Sequence, residues 1–410
     1  MSRTDGPLPR LFVSAMIVDA VGSGMFMPFA LLYFVRVQDL GVASVGTTLT
    51  VVNLALIVSS AALGRLVQSV GHLRSLIIGN AVRAPLFVLY AVTLPAPLAV
   101  GALVLSAVLD KVVWVSLGAT IARLARGPAS RRAFSTVGWA RNVGLCLGSL
   151  VGGVLASAHS SAGLRTIALV NAASFAVTTV VLLRLRGQAA PEASAGTSGA
   201  RESDSAGTWQ VLRLPGFALL TAAKTCFTVC ATVVSTFTGL YLVDDARLPG
   251  WAAGTVLALN GALVVLFQQS LVRRTADRSA PRMLAAGGAL YASAGLGFAL
   301  ISPLRELPAV AVAVSLVAMT VYTLGEIVIA PTSDAYAAEL AAPGMEAPCM
   351  AVYQASWSIA SVAVPVAGAG LLLASPSALW TVFAAVAVLG ALLSAALGRD
   401  RVEESGRLHS

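Results

Sequence analysis

Twelve stretches of about 20 apolar residues follow one another along this chain, each long enough to cross a bilayer as a helix. They fall at 11–35, 44–64, 75–95, 98–121, 133–157 and 163–183, then at 214–243, 250–271, 283–302, 309–333, 349–373 and 377–397. Hydrophobic residues make up 57% of the 410 and charged residues only 11%. A soluble chain of this size would lack the charge to cover its surface, whereas lipid-facing helices need none. The sequence therefore predicts an all-α integral membrane protein. The first stretch is longer than a signal-peptide core and lacks the usual basic lead and small-residue cleavage site, so it is read as a retained helix.

Between the sixth and seventh stretches lies Gly187–Trp209, with no apolar residue larger than alanine before Trp209. Such a segment cannot bury enough surface to offset its ordering entropy and is expected to be a polar linker. The sequences on either side echo each other. Leu31-Leu32-Tyr33-Phe34-Val35 matches Gly239-Leu240-Tyr241-Leu242-Val243 at an offset of 208, Gly46-Thr47 matches Gly254-Thr255 at the same offset, and Asn53 matches Asn260 at 207. This predicts two pseudo-symmetric six-helix bundles, at 1–186 and 211–398, joined by a cytoplasmic linker at 187–210 and followed by a tail at 399–410.

Charge placement predicts orientation. With both termini cytoplasmic, the cytoplasmic segments hold 19 of the 27 Lys and Arg residues. The outer loops hold Arg36, Arg165, Arg247 and Arg305, and Arg83, Lys111, Arg141 and Lys224 lie inside helices. That bias is the one positive-inside insertion produces, and it places the chain in the cell inner (plasma) membrane. The net charge of +9 then calls for no nucleic-acid partner, because topology and anionic membrane lipid account for the basic residues.

Cys146, Cys226, Cys230 and Cys349 all fall within apolar stretches, and Cys226 and Cys230 read as small buried residues rather than metal ligands. The three histidines lie in loops or the tail, and neither HExxH, Gly-x-Ser-x-Gly nor a phosphate-binding Gly-x4-Gly-Lys-Ser/Thr occurs. The chain is read as a non-enzyme without metal or cofactor.

Between the second and third stretches, Gly64, Leu66, Gly71 and Arg74 resemble the G-x-L-a-D-r-x-G-r-k loop of the major facilitator superfamily, with Gln68 in place of the acidic residue. Asp277, Arg278 and Arg282 are a weaker copy in the second half. In the fifth stretch, Gly144 through Gly148, Ser149, Gly152 and Gly153 is similar to the G-P-x-x-G-G motif of that superfamily's drug:proton antiporters, with Ser149 where proline is usual; small residues at that spacing also serve ordinary helix packing. Pro365-Val-Ala-Gly368 in the eleventh stretch keeps the proline. Gly325-Glu326 through Pro331, continuing to Tyr353 and Trp357, looks like a pattern of bacterial twelve-helix members. The resemblance spans the chain. It implies the superfamily fold, a hinge and proton seal in the fifth helix, and a charge latch in the loops that Gln68 weakens.

Ionisable side chains inside a membrane cost several kcal/mol unless paired or wetted, so they are the candidate site. Asp19, Arg83, Arg141 and Lys224 lie at a common depth, and Asp110 with Lys111 reaches it from the other side. The layer reads either as a substrate and proton site or as structural ion pairs. Asp19, followed by Gly22, Gly24 and Pro28 and without an adjacent base, is expected to be unpaired and to carry the proton. Asp110 is expected to pair with Arg83 or Arg141, and Asn53, Asn142 and Tyr322 to line the cavity. Glu326 is placed in the cytoplasmic third as a gate and second proton candidate.

The reading is a secondary transporter, monomeric and surrounded by lipid, coupling protons to export of an amphipathic organic small molecule. Proton-coupled uptake of a small polar metabolite is the alternative. A non-transporting receptor or scaffold fits less well, since only 13 residues follow Leu397.

Overall fold

The computed structural model describes residues 9–124, 128–156, 161–188, 208–275, 278–341 and 345–408. Among these the chain is helical throughout and contains no strand. Helix α1 (Arg10–Arg36) is interrupted by a 3-10 turn at Met27–Phe29. Helix α2 is a pair, Val42–Val58 and Ser60–Val70, followed by α3 (His72–Leu89), α4 (Ala96–Leu124), α5 (Pro128–Ala156) and α6 (Ser161–Gln188). After a short helix at Thr208–Leu212 come α7 (Phe217–Leu240, ending in a π turn at Tyr241–Asp245), α8 (Gly250–Thr275), α9 (Ala280–Ala299), α10 (Pro308–Leu340), α11 (Glu346–Ala374) and α12 (Pro376–Leu408). The predicted linker at 187–210 lies mostly outside the described residues.

Ten of these helices are long and apolar enough to cross a membrane, and the bent α2 pair makes an eleventh. Helix α3 is not among them because it carries Arg74, Asn80 and Arg83. It also ends at Leu89 rather than at the predicted 95, where Val92, Thr93 and Leu94 form a polar-backbone turn held by Gln38: its Nε2 donates to Val92 O at 2.9 Å, and Leu94 N–H donates to its Oε1 at 2.9 Å. The α2 pair is bent by 71° near Ser59, whose hydroxyl donates to Ala55 O at 2.7 Å.

The chain divides into two compact units. The first consists of residues 1–195, 236–244 and 249–265. There α1 packs on α5 and α6, and α3 on α4 and α6. Its core is an aromatic cluster of Phe26, Tyr33, Phe34, Phe87 and Tyr90, extended by Phe175 of α6. The α1–α5 packing is set by glycines one turn apart. A Cβ on Gly144 would come within 2.9 Å of Ile17 O, one on Gly148 within 2.8 Å of Met25 N, and one on Gly152 within 2.7 Å of Met25 O. Helix backbones this close exclude any side chain larger than hydrogen.

The second unit consists of residues 196–235, 245–248 and 266–410. Helix α9 packs on α10 and α12, and Phe227 of α7 meets Gly288 of α9 and Gly390 of α12. Its core stacks Phe298 on Trp380 and Tyr291 on Tyr322. Among the described residues, two other than glycine have positive φ, Asp39 (54°) and Arg247 (53°). They follow the first helix of each half at the same 208-residue spacing as the sequence echoes, so the repeat extends to backbone conformation.

Candidate functional site

The intramembrane charges of the first unit resolve into two ion pairs on four helices. Arg141 of α5 donates from Nη1 to Asp19 Oδ2 of α1 at 3.1 Å. This corrects the expectation of an unpaired Asp19. Its partner is 122 positions away in sequence, and it is brought close by the Gly144–Gly148–Gly152 seam directly following Arg141 on α5. Asp19 Oδ2 is thus satisfied, while Oδ1 is buried and has no hydrogen-bond partner. Arg83 of α3 pairs with Asp110 of α4 at 2.5 Å, leaving Arg141 to Asp19.

Each arginine also lies against an aromatic ring. The Arg83 guanidinium carbon is 3.9 Å from the Phe175 ring centroid, and that of Arg141 is 4.6 Å from Trp114. Cation–π contact of this kind stabilises a cation withdrawn from water. The pairs differ in access. In the first, Asp19 is buried and the Arg141 side chain is only 12% exposed; in the second, Arg83 is buried and the Asp110 carboxylate is 49% exposed. Lys111 beside it is exposed.

The second unit holds a pair of the same construction, and one member escapes the sequence reading. Lys224 of α7 lies 3.4 Å from Asp334 Oδ1 and 3.3 Å from Ser333 Oγ of α10, with its Nζ 5.1 Å from the Tyr353 ring centroid of α11. The Tyr353 hydroxyl donates to Asp334 Oδ1 at 2.7 Å. Asp334 is missed because the tenth apolar stretch ends at 333, whereas α10 continues through Pro331 to Leu340. A signal for it does exist: Lys224 needs a carboxylate in its own half.

Glu326 sits near the middle of Pro308–Leu340. It is an electrostatic neighbour of Tyr291 and Tyr322, whose rings stack at 4.6 Å and 17°. Tyr322 is buried in this aromatic core. Asn53 and Asn142 are half-buried.

The motif residues fall as follows. Gly71 turns the chain between α2 and α3 with φ 95°, a conformation glycine adopts without a Cβ penalty. Gly64 faces open space, and Gln68, Arg74 and Arg278 are exposed; Asp277 lies outside the described residues. Ser149, standing where the antiporter motif has proline, donates to Leu145 O at 2.8 Å and lies 3.2 Å from Gly24 O of α1, so it fastens the seam that proline would only bend. Gly153 turns away from α1 and meets Gly254 of α8: a Cβ on it would fall 2.5 Å from Gly254 Cα. Pro365 lies inside α11. No group of three or more metal-ligating side chains occurs among the described residues.

Residues 12–347 match the family model described as Major Facilitator Superfamily. The chain belongs to the Major Facilitator Superfamily. No curated protein matches it in sequence. In structure it is similar to a nucleoside transporter (12% identity, TM-score 0.74, covering 95% of this chain and 100% of that one). It is also similar to a peptide transporter, POT, in complex with sulfate (14%, 0.72, 95% and 94%), and to a POT family transporter in complex with 5-aminolevulinic acid (12%, 0.70, 93% and 94%). At these identities the likeness concerns fold. The superfamily chain is a multi-pass membrane transporter rather than an enzyme.

Proposed function

We propose that this chain is a proton-coupled secondary transporter exporting an amphipathic organic compound by alternating access, in the plasma membrane with both termini cytoplasmic. The observation that carries the proton role is Asp19, a carboxylate with one oxygen engaged by Arg141 and the other buried without a partner. A carboxylate held inside a membrane helix is a default candidate for carrying a proton. The export direction is supported by the α5 glycine seam, whose residues resemble the antiporter motif.

A second reading is proton-coupled uptake of a small polar metabolite. Three intramembrane ion pairs offer charge to a polar solute, the antiporter proline is absent at Ser149, and the fold is shared with a peptide and a nucleoside transporter. The test is flux into proteoliposomes under an imposed pH gradient, screened over dyes, antibiotics, sugars and small metabolites. Antiport drives the compound toward the acidic side, and symport drives it toward the alkaline side. Flux that ignores the gradient for every compound would defeat both readings.

A further inference from the structure

In the second unit, a buried cation is matched with an accessible anion. The Lys224 side chain is 7% exposed, whereas that of Asp334 is 55% exposed. A carboxylate on a membrane helix cannot face hydrocarbon without a cost of several kcal/mol, so the open side of Asp334 faces water. The lysine is loosely held: its separations of 3.3 Å from Ser333 Oγ and 3.4 Å from Asp334 Oδ1 exceed the usual N–H···O range. Asp334 Oδ1 is engaged more tightly by the Tyr353 hydroxyl, at 2.7 Å. The aspartate therefore occupies a seat built from a phenol and an ammonium that Ser333 Oγ helps to hold, and it is approached from water.

We propose that Lys224, held in place by Ser333, and Tyr353 form a binding site for the carboxylate of an organic anion, with Asp334 the resident counter-ion that the ligand displaces. The arriving carboxylate reproduces the acceptor geometry of Asp334, takes the ammonium and the phenol hydroxyl, and lets Asp334 turn to the water it already faces. The buried Tyr353 ring, 5.1 Å from the ammonium, stays in place during the exchange and keeps its hydroxyl aimed at the seat. This inference rests on reading the chain as a small-molecule transporter and adds the charge of the group it recognises.

The test is equilibrium binding to the full-length protein in detergent, without a pH gradient, so that it stands or falls separately from proton coupling. The probes are benzoate, phenylacetate and 2-naphthoate, with benzamide and benzylamine as neutral and cationic counterparts, read by ligand-induced thermal shift. The carboxylates are expected to stabilise the protein and the counterparts are not. Asp334→Asn removes the competitor and lowers the carboxylate Kd about fivefold, the scale of a partly exposed ion pair. Lys224→Gln abolishes the shift and Lys224→Arg retains it. Tyr353→Phe, a variant that keeps the ring and should fold even if Asp334→Asn does not, removes one of the ligand's donors and raises Kd severalfold. Carboxylates that bind Lys224→Gln as well as wild type overturn the proposal. So does a benzylamine shift that Asp334→Asn abolishes, the absence of any carboxylate shift in wild type, or a carboxylate Kd in Tyr353→Phe equal to that of wild type.

Discussion

Asp19, Asp110 and Asp334 each pair with one cation, and each cation lies against an aromatic ring, yet they differ in what a substitution would strand. Asp19→Asn keeps an oxygen for Arg141 but removes the titratable group. Gradient-driven accumulation should be lost while substrate exchange without a gradient persists; uphill transport equal to wild type would move the proton site elsewhere, with Glu326 the next carboxylate to test. Arg141→Gln does the opposite, leaving a carboxylate buried on both oxygens, and should cost about 3–5 kcal/mol of stability, the range for breaking a buried pair. A melting midpoint close to wild type would show that Asp19 does not need its partner. Asp110→Asn strands Arg83, whose Nε is already buried without a partner, and should lower thermal stability without uncoupling transport. None of these pairings could be read by adjacency along the chain. The sequence places the charges at one depth, but helix rotation decides who meets whom, and rotation is set by glycine seams whose partner helices the sequence does not name.

At the level of helices, existence was legible and interruption was not. Apolar runs located α1 and α4 to α12 within a few residues at most ends, because hydrocarbon thickness fixes their length. The bend near Ser59, the early end of α3 at Leu89, where Gln38 holds the backbone that follows, and the π turn at Tyr241–Asp245 leave no periodic trace in the sequence. The same geometry separates two glycines that look alike in sequence. Gly148 has Met25 N 2.8 Å from where a Cβ would stand, while Gly64 has open space. Gly148→Ala should push α1 and α5 apart, weaken the Asp19–Arg141 pair and lower both thermal stability and coupled flux. Gly64→Ala should leave stability unchanged or raise it by up to ~1 kcal/mol through helix propensity. Equal melting midpoints in the two variants would show that the seam is not close-packed.

For the whole molecule, the duplication is the main constraint, and it reaches from residue identity to backbone. Tyr33 and Tyr241 are 208 apart, and so are the left-handed Asp39 and Arg247, each placed just after the first helix of its half. On the proposed reading of six crossings in each half, the two halves share one orientation, and the linker and both termini lie on one side. The basic residues choose that side. Arg184 and Arg186 close α6, Arg273 and Arg274 close α8, and Arg399 and Arg401 follow the apolar part of α12, whereas the opposite loops hold only Arg36, Arg165, Arg247 and Arg305. Positive charge near helix ends is retained in the cytoplasm during insertion. A reporter fused after Arg186 and another after Arg401 should therefore both be active only as cytoplasmic fusions. If α3, with its two arginines and Asn80, failed to span, every later helix would invert and the Arg186 reporter would appear outside. The fusion thus also tests whether Asp110 offsets the charge of Arg83 well enough for α3 to stay in the membrane.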